Sequence, residues 1–232
     1  MKEIDIQAVD LSKLQDNTLE RMMVYLPEGE QTIIGKFRRK KDAHSMLVSE
    51  ILVRTIICKL LGMKNKDIIF LTNEFGKPFV ANYPSFHYNL SHSGDWVVCA
   101  HHDCSVGIDV EQIKPIEIEG IVSRFFSQEE YHDLIDIKMP QRLSYFYQLW
   151  TLKESYLKAV GKGLSLPLNS FSVRIKNGVV SYTSKNEMGE YYFHQYNIAP
   201  GYEMAACSVT HNLPDNVKYK SFADLLEDTM YL

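Results

Sequence analysis

The sequence is poor in the features that would fix its class at a glance. Its four cysteines, Cys58, Cys99, Cys104 and Cys207, form no CxxC pair and stand at no zinc-finger spacing from a histidine. A disulfide framework or a structural zinc site is therefore not expected, and dispersed reduced thiols fit a cytosolic setting. No apolar run approaches the roughly 20 residues that a membrane-spanning helix needs. The opening Met1-Lys2-Glu3-Ile4-Asp5 is too acidic and too weakly apolar for a signal peptide, so the expected place is the cytoplasm, with no membrane partner. The formal net charge of −4 lacks the basic excess of a dedicated nucleic-acid binder. There is no Walker P-loop, no GxGxxG and no GxSxG, and no local Cys/His arrangement that points to a covalent nucleophile. Low-complexity tracts and long linkers are missing as well.

What is present is an ordinary globular chain. Its 232 residues are 45% hydrophobic and 23% charged, enough for one large domain or two small fused halves. A strand is expected near Ile4–Val9, then a helix over 14–26 with Ser12 as N-cap. The apolar stripe Leu47, Ile51, Leu52, Ile56, Leu60 and Leu61 predicts a helix from about Asp42 to Leu61, closed by Gly62. Strands follow at 68–72, 79–81, 86–91 and 96–100, with turn chemistry at Asn73-Glu74-Phe75-Gly76 and Ser93-Gly94-Asp95. His101 to Ser105 reads as a polar connection. After it come a strand at 107–111, a capping box at Ser127-Gln128-Glu129-Glu130, and a long helix over 142–160. Strands at 171–175, 179–183, 191–196 and 204–209 and a terminal helix over 222–230 complete the pattern. Strands in runs imply antiparallel pairing and an α+β fold. The two stretches, 1–104 and 105–232, have similar lengths and similar element content.

Several groups can carry chemistry. Asp109 and Glu111 alternate with Ile108 and Val110, so both carboxylates leave one face of a strand and can converge on a cation. The same spacing also fits a solvent-facing strand edge. Glu154 and Lys158 are four apart on the long helix and share a face, which is equally the pattern of a surface ion pair. Their helix also carries Tyr145, Phe146, Leu149, Trp150, Leu152, Tyr156 and Leu157, so it is expected to be largely buried and its polar residues to need partners. Asn89-Leu90-Ser91-His92-Ser93-Gly94 ends a strand at a corner able to take phosphate, or is simply a hairpin rim. Glu74-Phe75-Gly76-Lys77-Pro78 has the same two readings. The run Lys36-Phe37-Arg38-Arg39-Lys40-Lys41 reads as a solvated surface.

Taken in order, these strings resemble the Sfp-type (surfactin-synthetase-activating) 4′-phosphopantetheinyl transferases. The resemblance runs through Asp42-Ala43-His44, Phe75-Gly76-Lys77-Pro78, Asn89 to Gly94, Gly107-Ile108-Asp109-Val110-Glu111, Arg124-Phe125-Phe126-Ser127, Trp150 to Lys158 and Gly161-Lys162-Gly163-Leu164-Ser165. It implies two similar halves related by a pseudo-twofold, each a small, mostly antiparallel sheet with a long helix, and coenzyme A held in the cleft between them. It implies that Asp109, Glu111 and Glu154 hold Mg²⁺, that Lys158 meets the phosphates, and that Ser91, His92 and His44 bind the nucleotide end. Gly76, Lys77 and Pro78 would frame the adenine and pyrophosphate region. Glu130 matches a further acidic position of the family. Where the family often has basic residues, this chain has Glu30, Ile33, Ser45 and Met46. Arg38, Arg39 or Lys40 are the candidates to hold the 3′-phosphate instead.

The implied reaction moves phosphopantetheine from coenzyme A to a serine of an apo peptidyl or acyl carrier domain and releases adenosine 3′,5′-bisphosphate. Glu154, directly or through a water, is the candidate base, and a monomer is expected. The same acids would also suit a Mg²⁺-dependent phosphohydrolase or nuclease. A non-catalytic module that docks carrier domains is the reading from another class.

Overall fold

The structure, a computed structural model, describes residues 3–13, 21–184 and 189–232. Its first half is organised by alternation. In β1 (Asp5–Asp10) Ile6 and Ala8 face one way and Val9 the other, and both sides are buried. A short helix α1 (Glu28–Gly35) leads to α2 (Lys40–Leu61), which Gly62 closes in the left-handed region at φ 66°. The hairpin β2 (Phe70–Thr72) and β3 (Pro78–Val80) precedes β4 (His87–Ser93) and β5 (Trp96–His102). Both β1 and β4 pair antiparallel with β5.

The second half begins at β6 (Val106–Gln112) and passes through α3 (Glu119–Phe125) and α4 (Gln128–Ile135). Then comes the long helix α5 (Gln141–Val160), whose cap Gly161 has φ 75°. β7 (Phe171–Lys176) and β8 (Val179–Ser184) form a hairpin. β9 (Tyr192–Gln195) and β10 (Tyr202–Ser208) join β6 in the order β6-β10-β9, all antiparallel. β11 (Lys218–Lys220) and α6 (Phe222–Asp228) end the chain.

Burial patterns stack these elements in four layers. Val97, Cys99 and Tyr88 of the first sheet share a cluster with Leu47, Ile51 and Leu52 of α2. Its opposite face, Ile6, Ala8, Trp96, Val98 and Ala100, packs on Ile108, Val110, Met204 and Ala206 of the second sheet. The outer face of that second sheet, through Ala205 and Cys207, packs on Leu152 and Tyr156 of α5. The order is thus α2, first sheet, second sheet, α5. One glycine sets the last spacing: a Cβ on Gly107 would lie 2.0 Å from the Ser155 carbonyl oxygen and 2.3 Å from the Ala159 nitrogen. Only glycine lets α5 lie this close to β6.

The expected α+β class, the sheets, both long helices and the Ser127–Glu130 capping box are all found. His101 and His102, read as a connection, instead continue β5 and are buried, because Asp5 and His87 stand opposite them in the ladders. The short α1, α3 and β11 carry too little periodicity to have been foreseen. Most of the helix expected over 14–26 lies outside the described residues. Its expected cap, Ser12, donates from its hydroxyl to Asp10 at 2.6 Å. The chain's end also crosses the expected division at 104/105: β11 pairs in parallel with β1, and Leu225 of α6 joins the core around α2.

Candidate active site

The face that is apolar along β1 and β5 turns polar along β4. Asn89, Ser91 and Ser93 stand opposite Ala100, Val98 and Trp96 in the ladder and point toward β6. Asn89 Oδ1 accepts the Ile108 N–H at 2.8 Å, Ser91 Oγ the Val110 N–H at 3.4 Å, and Ser93 Oγ the Gln112 N–H at 3.1 Å. The constant offset of 19 residues means that β4 and β6 run side by side in the same direction, joined by side chains rather than by a backbone ladder. The same hydroxyls reach the acids of β6: Ser91 donates to Asp109 Oδ1 at 2.9 Å and Ser93 to Glu111 Oε2 at 2.8 Å.

From the other side α5 contributes Glu154 and Lys158, one turn apart. Lys158 Nζ donates to Asp109 Oδ1 at 2.6 Å, to Ser91 Oγ at 3.0 Å and to the Ile108 carbonyl at 3.2 Å. The carboxylates nearby are perturbed by burial and by neighbouring charge. Burial and the neighbouring Asp109 both raise the Glu111 carboxyl, against the pull of Ser93 and Lys158. Burial, then Asp109 and Glu111, raise Glu154 as well, with Lys158 opposing. Lys158 thus acts on all three acids, with Lys114 adding a smaller pull on Glu111. Asp109 Oδ2 is buried with no hydrogen-bond partner among the described residues, which is unusual for a carboxylate. An all-oxygen donor set with an orphaned buried oxygen suits a hard divalent ion such as Mg²⁺.

Beside this cluster lies a cavity of about 250 Å³, lined by Phe75, Gly76, Pro78, Glu154, Leu157 and Lys158 among others. Its wall is built by an Asx turn: Asn73 Oδ1 accepts the N–H groups of Phe75 and Lys77 at 2.9 and 2.8 Å, and Gly76 takes φ 87°. Asn73 also donates to the Gly161 carbonyl at 2.8 Å, so the loop is pinned to the end of α5. Lys77 lines the cavity with its stem but turns its ammonium inward. Nζ donates to the carbonyls of Ala159 and Val106 at 3.1 and 3.3 Å, and burial pushes its pKa down to about 8. It serves the C-terminal end of α5, where a cation is favoured.

His92 sits exposed at the rim. Desolvation and then Lys158 lower its pKa, while Asp42 at the start of α2 pulls the other way. His44 is half-buried in the second turn of α2. The basic run 36–41 is exposed just ahead of it, with Lys41 paired to Asp95 at 2.6 Å. Glu30, at a position where the resemblance implies a basic residue, pairs with the buried Arg54. Glu130 lies outside the cleft altogether, enclosed with Lys153. The alternation Asn89-x-Ser91-x-Ser93 on one face of β4 is the sequence signal that groups Ser93 with Ser91.

A strand bearing two acids, a helix bearing an acid and a lysine, and a cavity at their junction form a candidate centre for phosphate chemistry. A family model described as the 4′-phosphopantetheinyl transferase superfamily matches residues 105–207, and one described as the N-terminal part of 4′-phosphopantetheinyl transferases matches residues 13–104. The chain belongs to the 4′-phosphopantetheinyl transferases, enzymes that move the phosphopantetheine group of coenzyme A to a carrier protein. It is 41% identical to the 4′-phosphopantetheinyl transferase Sfp of Bacillus subtilis over 208 residues, 89% of this chain and 92% of that one. To the transferase psf-1 of Bacillus pumilus it is 38% identical, over 88% of this chain and 89% of the relative. A holo-(acyl-carrier-protein) synthase of Bacillus anthracis, solved with coenzyme A, matches with a TM-score of 0.41 at 19% identity, over 45% of this chain and 94% of that one.

Proposed function

We propose that the cleft between β4, β6 and α5 binds coenzyme A together with Mg²⁺ and is where an apo carrier domain's serine is modified. Asp109, Glu111 and Glu154 would hold the metal. When bound, Mg²⁺ neutralises the charge that builds on the pyrophosphate oxygens. Lys158 supplies a second positive charge to the phosphates. His92 meets the phosphates at the rim, Ser91 from beside Lys158, and His44 contributes from α2. Gly76 and Pro78 line the wall against the nucleotide, and Lys77 acts on that wall from within.

In the transfer the serine oxygen forms a bond to the β-phosphorus and the bond to the bridging oxygen breaks. Adenosine 3′,5′-bisphosphate leaves with the electron pair. Glu154, directly or through a water, takes the serine proton. A carboxylate that also holds Mg²⁺ is a weakened base, and a bound water can relay the proton to it. The division into halves 1–104 and 105–232, a monomeric state and a cytoplasmic location belong to the same reading. Among the described residues no helix is long and apolar enough to cross a membrane.

The observation that carries this reading is the Lys158–Asp109 contact beside the partnerless Asp109 Oδ2. The test is a panel of apo peptidyl and acyl carrier domains incubated with coenzyme A and Mg²⁺ and weighed by mass spectrometry. A mass gain of one phosphopantetheine that disappears with a chelator is expected. Coenzyme A breakdown at the same rate with no carrier present would favour the phosphohydrolase instead.

A further inference from the structure

The row Asn89, Ser91 and Ser93 does more than bridge two strands. All three side chains take a backbone N–H of β6, but only the serines also reach a carboxylate. Ser91 is shared between Asp109 and Lys158. Ser93 has one acidic partner, Glu111 Oε2 at 2.8 Å, while its oxygen accepts the Gln112 N–H at 3.1 Å. One hydroxyl therefore fixes both the backbone on the C-terminal side of Glu111 and the direction of its carboxylate.

The turn that carries Ser93 is itself clamped from the second half. Tyr202 of β10 accepts the Asp95 N–H on its hydroxyl at 2.9 Å. The hydroxyl lies so close over Gly94 that a Cβ there would stand 2.2 Å away, and the turn takes φ 58° at that residue. Gln112, next to Glu111, closes on the same spot, 2.8 Å from that Cβ position. The turn just after Ser93 is thus confined by Tyr202 of β10 and Gln112 of β6. An outer-shell hydroxyl placed this way pins one carboxylate oxygen and leaves the other free for a ligand.

We infer that Ser93 is a positioning residue for the cation site, orienting Glu111 across the β4–β6 junction so that its free oxygen Oε1 is presented to a divalent metal. The inference rests on the assignment of Glu111 as a metal ligand made above. Orientation of this kind is expected to show in metal affinity before it shows in anything else, since outer-shell partners commonly alter affinity 10- to 100-fold.

The test measures Mg²⁺ binding to the full chain directly, by calorimetry and by the metal-induced rise in melting temperature at fixed coenzyme A. Ser93→Ala is expected to weaken Mg²⁺ about tenfold, with little change in the melting temperature of the metal-free protein. Ser93→Thr, which keeps the hydroxyl, is expected to restore the parent affinity. Glu111→Ala is the reference. If it weakens Mg²⁺ while Ser93→Ala leaves the midpoint where it was, Ser93 has no positioning role. A fall in metal-free stability with an unchanged Mg²⁺ midpoint overturns the inference equally, because it marks a purely structural contact. If Glu111→Ala itself leaves Mg²⁺ binding untouched, the ligand assignment falls first and the role of Ser93 falls with it. Should Ser93→Ala not fold, Ser93→Cys keeps the volume, weakens the hydrogen bond and is read in the same way.

Discussion

Helix α5 carries two lysine–carboxylate pairs five residues apart, and they are built for opposite ends. Lys153 is wholly buried, and its ammonium donates to both oxygens of Glu130, at 2.6 and 2.7 Å, and to the Phe171 carbonyl at 2.9 Å. Glu130 in turn accepts the N–H groups of Ser127 and Val173, each at 2.7 Å. Lys158 remains 27% exposed and meets Asp109 through one oxygen only, the other being buried without a partner. The first pair is closed: it ties α4, α5 and β7 together, and no group is left over to bind anything. The second is open, in a cleft, with two further acids whose proton affinity burial and Asp109 raise. Whether every polar atom is satisfied, rather than the mere presence of an ion pair, separates the closed pair from the open one.

The contrast can be broken by substitution. Lys153→Met should cost about 3–5 kcal/mol, because it strands a buried carboxylate, and denaturant melts should show a large drop in midpoint. Asp109→Asn keeps the shape and gives up a one-oxygen ion pair with a part-exposed lysine, so it should move stability by only about 1 kcal/mol. It should nevertheless raise the Mg²⁺ required for transfer sharply. An unchanged Mg²⁺ titration for Asp109→Asn would dissolve the distinction between the two pairs.

A third cluster sharpens the comparison, because it is incomplete yet far from the cleft. Arg54, 2% exposed, faces both Glu30 and Glu50, so two carboxylates share one guanidinium. Burial, then Glu30, pushes the pKa of Glu50 up to about 7. Its folded pKa is raised, so its stabilising contribution is complete below its unfolded value and is lost as pH climbs through about 7. Glu50→Gln should therefore melt higher than the parent at pH 8, with the gap closing below about pH 5. The smallest expected effect lies on the closed side of α5. Tyr182 donates to the Tyr156 hydroxyl at 2.6 Å inside a ring cluster, so Tyr156→Phe should cost about 1 kcal/mol in chemical denaturation and leave transfer intact.

Much of this architecture was legible in the letters. The stripe of α2, the glycine caps at Gly62 and Gly161 and the capping box at Ser127 are local signals, and local signals read well. Asp109, Glu111, Glu154 and Lys158 stood out by strand and helix spacing, and the family resemblance joined them. What could not be read depends on distant partners. The inward turn of Lys77 is set by carbonyls at Val106 and Ala159, and the enclosure of Glu130 by Lys153. The return of β11 to β1 brings together segments more than 200 residues apart. No window along the chain contains those facts.

The central claim is that the open end of α5 performs phosphopantetheine transfer with Glu154 at its heart. Intact-mass measurement of an apo carrier domain incubated with coenzyme A, Mg²⁺ and either the parent or Glu154→Gln tests it most directly. The parent should convert the carrier to the phosphopantetheinylated form, and Glu154→Gln should leave it unmodified while keeping its melting temperature. Conversion by a folded Glu154→Gln at the parent's rate would contradict the account.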